Sequence, residues 1–600
     1  MQHRPPLARF SLHLLGWMAL VACRGLMAAE PPDRSPTDLV LSSDEHWILT
    51  ANETADSVSL VEVASGKVVD ELAVGKRPTC LCLLPGENRA LLTCRFSGEL
   101  IELDFSQGQL KQLSAVQLGF EPRGVAVSPD GREAFVALTS AGEVAVVDLA
   151  RHQSVARIPA GQWPRSIAIS GDGQRLAVGS DGDRAISVLD PVERKYLYQE
   201  KYSGLNAGQM QIAADGQHVY FPWMIYRQNP IDARNIRLGW VLASRIARVR
   251  LDGPARREAI SLDPPGKAIS DPYGMALSSD EEWMVASAPG THELLVYRLP
   301  GLPFQSTGGP GDHIDGRLLA DNNRFYRIEL GGRPMSIRLA RDDRHVYVAN
   351  YLLNCVQEVD IVERSVTRTM PLGGPRQPSL ARQGEAIFYD GRRSLDQWYS
   401  CHSCHFEGET NAQTMDTLND GTERTFKTVL SLHNVTRTPP WTWHGWQQDL
   451  PASLRKSLTE TMLGPQPTDD DVEALGAYLG TLELPPNPFL LPNGQLSTAA
   501  ERGKVVFHSE KAGCSHCHNG PHFTDGKIHD VGLGSPKDAF EGFNTPSLLG
   551  VYRRVQLLHN GRAKSLREAL TELHNPDRVT GKGTLSEGEL ADLIEYLKTL

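Results

Sequence analysis

Beyond its N-terminal 30 residues, the 600-residue chain has no apolar run of the roughly 18 residues that a membrane-crossing helix needs. Positive charge is in deficit: 61 Lys and Arg stand against 72 Asp and Glu, a formal net charge of −11. That balance argues against nucleic acid and against an anionic membrane surface as partners. Cysteine is scarce, nine in all and so odd in number, and aromatics make up only 7%. A 40% hydrophobic, 22% charged composition is that of a globular protein, and the length calls for at least two domains.

The N-terminus itself is different. Arg4 and Arg9 precede an apolar run from Phe10 to Ala22, too short to span and suited to a signal-peptide core within residues 1–29. Two endings are open. LVAC, ending at Cys23, has the form of a lipobox, which would make an outer-membrane lipoprotein; ordinary cleavage near Ala28-Ala29 would discard Cys23. Both predict export to the periplasm or cell envelope.

One phrase recurs seven times: LSSDEHWILTAN from 41, LLPGENRALLTC from 83, VSPDGREAFVAL from 127, ISGDGQRLAVGS from 169, IAADGQHVYFPW from 212, LSSDEEWMVASA from 277 and LARDDRHVYVAN from 339. Each reads as strand, tight turn and β-branched or aromatic strand, followed by a further alternating run such as EVAVVDLA. Four short strands in a unit of about 42 residues is the signature of a propeller blade. The expectation is an all-β seven-bladed propeller over 38–378, with insertions near 224–245 and 301–327. The unit resembles the YVTN-type, lactonase-like repeat, and YVAN (347–350) is nearly its namesake. Cys80 and Cys82 share a strand face with Cys94 on the next strand; one disulfide there or plain buried thiols, like Cys355, are both open.

After PLGGPRQPSL (371–380) the β pattern gives way to helical periodicity, and this part is also duplicated. ARQGEAIF (381–388) parallels AERGKVVF (500–507), SLRKSLTETM (453–462) parallels SLREALTELH (565–574), and PTDDDVEALGAYLGTL (467–482) parallels TLSEGELADLIEYLKTL (584–600). Each copy carries C-x-x-C-H: Cys401, Cys404 and His405 in the first, Cys514, Cys517 and His518 in the second. Two thiols at that spacing form thioethers to the porphyrin vinyls, and the next His supplies the proximal ligand, so two haem c groups are implied. Zinc does not require a His directly after the second Cys. The prediction is an all-α pair of cytochrome c-like domains over 381–485 and 498–600. Met462 and His574 occupy the same place in the aligned repeat, and both residue types serve as sixth haem ligands; the alternatives are a core methionine and a satisfied surface histidine.

At these residues the chain resembles the bacterial di-haem cytochrome c peroxidases and the methylamine-utilisation di-haem oxygenase, over about 381–600. GEAIFYDGRRSLDQWYSCHSCH and ERGKVVFHSEKAGCSHCHNGPHFTD look like the two haem entries, and FNTPSLLGVYRRVQLLHNGRAKSLREAL (543–570) like the family's T-P-S-L segment. The resemblance implies that electrons enter at the C-terminal haem and hydrogen peroxide is reduced at the N-terminal one. It nominates Trp443 as the residue between them, Asp471 (with Asp469 and Asp470) near the family's glutamate, and an interdomain calcium held largely by backbone oxygens. Residues 406–432 contain no histidine where the peroxidases carry a labile distal ligand, and His433 and His444 are the nearest substitutes.

Three functions stay open. The first is an exported peroxidase-type oxidoreductase whose propeller docks an electron-donor protein, a small cytochrome or cupredoxin. The second is a non-catalytic electron-transfer protein in which Met462 and His574 close both irons. The third, a dehydrogenase with its site in the propeller, lacks any nominated cofactor.

Overall fold

The computed structural model describes Met1 and residues 30–305 and 313–600; the leader and Cys23 lie outside the described residues. Seven antiparallel sheets follow one another over 36–73, 78–117, 122–159, 164–201, 204–261, 275–329 and 334–371. Strand order within them follows chain order, so each is a blade of a seven-bladed propeller. The inner strands are largely buried, whereas the outermost, such as Lys67–Ala73, alternate between exposed and half-buried. The repeated phrase earns its turn residues: Glu45, Gly131, Gly173, Gly216, Glu281 and Asp343 stand at matching points and Gly86 one residue earlier, all with positive φ. Glycine takes that conformation without penalty, and a short acidic loop residue tolerates it. In four blades a Ser hydroxyl donates to the Asp two residues on, as Ser128 does to Asp130 at 2.6 Å.

The ring closes without strand exchange. Strand Pro36–Leu41 packs beside Pro334–Leu339, and a side-chain clasp joins the ends. Asn354 Oδ1 accepts from the Arg34 and Ser35 amides at 2.8 and 2.9 Å, while its Nδ2 donates to Asp33 at 2.7 Å.

The remainder is helical. Helix α1 (Leu380–Tyr389) crosses α2 (Asp469–Leu479), and α3 (Thr498–Phe507) crosses α4 (Glu587–Lys598). Both crossings pivot on glycine: a Cβ on Gly384 would fall on the Ala474 carbonyl oxygen, and one on Gly503 on that of Asp592. No described helix is long and apolar enough to cross a membrane. Cys80, Cys82, Cys94 and Cys355 are free thiols, Cys94 and Cys355 buried and Cys80 and Cys82 half-buried, so of the two alternatives the structure has plain thiols.

The helical half sits on one face of the propeller, and the blade 5 insertion joins them. Ile231 N donates to the Asp416 carbonyl at 2.8 Å, Arg237 meets Asp396 at 3.3 Å, and Gly239 lies under the Trp398 ring. His313, from the second insertion, adds to this contact, its Nε2 donating to the Arg237 carbonyl at 3.0 Å. Trp398, fully buried, belongs to the same core as Trp223, Tyr202 and Phe221 of the propeller.

Candidate redox centres

Each C-x-x-C-H motif folds as a tight helical turn, Cys401–Cys404 and Cys514–His516, which brings its two thiols to one side. In the first centre His405 is set by Nδ1 donating to the Leu430 carbonyl at 2.8 Å; in the second, His518 Nδ1 donates to the Phe523 carbonyl at 3.1 Å. That bond fixes the tautomer and leaves Nε2 as a free lone pair, as a proximal iron ligand requires. Burial lowers the pKa of His405, and burial helped by neighbouring His574 lowers that of His518 to about 4. Both rings are therefore neutral and able to coordinate at pH 7.

The sixth-ligand candidates arrive by a shared device. A π-helical turn, Ser457–Thr461, precedes Met462, and another, Ala569–Leu573, precedes His574. Such turns widen a helix locally and push its end residue out of register. Met462 is 4% exposed, with Sδ 3.8 Å from Cys401 Sγ; its backbone is held by Leu395 N donating to its carbonyl at 2.9 Å. His574 is half-buried, and its Nδ1 is shielded and without a hydrogen-bond partner among the described residues. The helix leading to Met462 begins at Asp449, four residues earlier relative to its π turn than the Ser565-capped helix leading to His574. The first copy thus carries one turn more ahead of the same candidate position. Paired thiols, oriented imidazoles and a distal candidate, buried Met462 or half-buried His574, suit a haem c at each centre.

No family model matches the chain. Among curated proteins, hydrazine synthase subunit gamma of Kuenenia stuttgartiensis is 28% identical over 280 residues, covering 38% of this chain and 79% of that one. Methylamine utilization protein MauG of Methylorubrum extorquens is 25% identical over 289 residues, 38% of this chain and 80% of that protein. A cytochrome-c peroxidase of Denitromonas iodatirespirans is 26% identical over 220 residues, 31% of this chain and 60% of its own length. The helical half is homologous to the di-haem cytochromes. Haem c and oxidoreduction are what that homology supports for this half.

In the di-haem half, Trp443 stands where the two domains meet. Its indole N–H donates to the Thr428 carbonyl at 2.7 Å, and its ring meets His559 edge-on, centroids 6.2 Å apart. Matching turns (Trp441 bridged to Gln447, Leu557 to Ala563) put Trp443 and His559 at equivalent repeat positions, so the duplication brings them together across its seam. His559 stacks at 4.1 Å on Phe543, which stacks on His444. Burial, and then the Lys427 ammonium, lower the pKa of His559 to about 4.

Other sequence candidates lie elsewhere. Asp471 closes a capping box with Thr468 and accepts from Arg393 at 3.1 Å. Burial alone would raise its pKa, but these bonds hold it below the ordinary value, so Asp471 is an ionised helix cap rather than a proton donor. Asp469 pairs with Arg455 and Asp470 is exposed. His444 Nδ1 donates to the Gly542 carbonyl at 2.8 Å, and His433 faces Glu409 at 3.2 Å beside the propeller.

The sequence reading missed the propeller's grip on the first haem-attachment turn. Asp271, in the segment leading into blade 6 and 7% exposed, accepts from Ser400 and Ser403, the residues preceding each cysteine, at 2.6 Å each. Asn206 of blade 5 donates to the Ser403 carbonyl at 3.2 Å. Glu407, two residues after His405, takes Arg123 of blade 3 in a bidentate pair, with Nη1 at 2.8 Å, and Arg95 of blade 2. Burial pushes the Asp271 carboxyl upward, whereas the arginines pull Glu407 well below the usual carboxylate range despite its burial. The only sequence signal was polar residues inside the motif, Ser400, Ser403 and Glu407, without named partners.

Proposed function

We propose that the protein is an exported di-haem c-type oxidoreductase that moves electrons between its C-terminal and N-terminal centres, both six-coordinate at rest. His405 and Met462 would hold the first haem, His518 and His574 the second. Each covalently attached haem would supply reversible one-electron chemistry. The matched π turns carry this reading, since they bring a buried thioether and an imidazole to the same step of a duplicated fold. Trp443 and His559 supply the contact between the centres. The thioether favours the higher potential at the first centre and the imidazole a lower one at the second, so electrons would enter at the second and come to rest at the first.

The peroxidase reading is the second one, favoured by the relatives' names. It needs the first iron to accept peroxide, and therefore needs Met462 to be displaced. An interdomain calcium belongs to that reading. The propeller face turned to the di-haem half is occupied, so a docking donor, a small cytochrome or cupredoxin, would use another surface. Optical and EPR spectra of fully and half-reduced holoprotein, with hydrogen peroxide added, separate the two. Two low-spin, peroxide-inert haems support the relay; a high-spin haem that reacts with peroxide supports the peroxidase.

A further inference from the structure

The propeller's central channel is a cavity of about 970 Å³ that follows the inner strands from end to end. Ser43 and Arg341, both exposed, flank one mouth. The other end is capped by the di-haem half, through Tyr389, His402, Phe406 and Glu407. The arginines at this capped end have carboxylate partners: Arg95 and Arg123 with Glu407, Arg165 with Asp181 at 3.0 Å, Arg382 with Glu385 at 2.7 Å, and Arg553 with Glu121 at 3.1 Å.

Arg333 is the exception. It is 6% exposed and lines the cavity, yet among the described residues its side chain makes no hydrogen bond or ion pair, and its Nε is shielded and unpartnered. Its guanidinium lies 3.4 Å from the centroid of the Tyr389 ring and 4.8 Å from that of Tyr351. The neighbouring carboxylates are committed elsewhere, Asp271 to Ser400 and Ser403, Glu385 to Arg382 and the Tyr351 hydroxyl. Burying a guanidinium without partners is strongly unfavourable. Ring stacking satisfies its faces but leaves its N–H edge, the fork that matches two oxygens of one anion.

We propose that the capped end of the channel binds a small planar oxyanion, a carboxylate or an inorganic equivalent, on the free edge of Arg333 between Tyr351 and Tyr389. The stack continues from Tyr389 to His402 at 4.9 Å and on to Phe406 at 4.7 Å, so an anion there would sit beneath the first haem-attachment turn.

Isothermal titration of the haem-loaded full chain with acetate, nitrite and bicarbonate, at constant ionic strength and with chloride as reference, tests this. Saturable binding of at least one of the three in preference to chloride is expected, about tenfold or more weaker in Arg333→Gln and unchanged in Arg338→Gln. Acetate against nitrite separates an organic carboxylate from an inorganic ion. Absence of saturable binding to the wild type, or equal affinity in Arg333→Gln, overturns the proposal. If that variant does not fold, Arg333→Lys keeps the charge but loses the fork: a similar weakening supports the site, and unchanged affinity overturns it.

Discussion

Met462 and His574 stand at one step of a repeated fold and differ in the atom they offer, sulfur or nitrogen. Replacing Met462 with Ala should convert one low-spin haem to high spin while leaving the other's spectrum unchanged; two unaltered low-spin signals would remove Met462 from the first iron. Met462→His should lower the potential of the first haem alone, read by redox titration, because imidazole stabilises the oxidised iron more than thioether does. His559 carries a pH signature. Its folded pKa is lowered from 6.5 to about 4, so between those values the unfolded chain binds more protons. Its stabilising contribution is complete above pH 6.5 and is lost as pH falls toward 4. The melting temperature of the wild type should therefore fall more steeply across that window than that of His559→Gln, and parallel curves would contradict the assignment.

At the scale of elements, the two helix crossings are copies, and each depends on one glycine against a carbonyl. Gly384→Ala should force α1 away from α2, costing about 2 kcal/mol or more, as over-packing of a tight contact does. Gly503→Ala should act likewise on α3 and α4. The haem stoichiometry of each variant, read as pyridine haemochrome per chain, should fall on the side of the altered crossing. The glycines are visible in the aligned ARQGEAIF and AERGKVVF, and their helices were legible from period and capping. Their partners, Ala474 and Asp592, were not, because a crossing point depends on how two distant helices meet. The π turns were equally hidden: SLRKSLTETM and SLREALTELH align without a gap, and local propensity does not distinguish a π turn from an α turn.

For the molecule as a whole, the propeller is built into the first redox centre rather than appended to it. Glu407 holds two arginines that are themselves 8% and 6% exposed. Removing it as Glu407→Ala should leave Arg123 buried and unpaired and Arg95 with only Glu53, 3.6 Å away, destabilising the protein by about 3 kcal/mol. The same change should shift the potential of the first haem and spare the second; shifts of equal size in both would mean a general loosening. The ring itself closes by the Asn354 clasp and strand packing, so Asn354→Ala should lower the unfolding temperature of the propeller while each blade keeps its strands, read by circular dichroism.

By itself the sequence determined the number of blades, the turn chemistry of each, the duplication of the helical half and the two haem attachment motifs. All of these are local: a tight turn, a strand alternation or a C-x-x-C-H spacing is written within a dozen residues. Tertiary structure alone decided that Asp271, Arg95 and Arg123 grip residues 400–407, that Trp443 meets His559, and that Arg333 is left with a free edge. Those pairings join residues more than a hundred positions apart, and charge, burial and packing select them only once the seven blades have closed and the di-haem half has settled on their face.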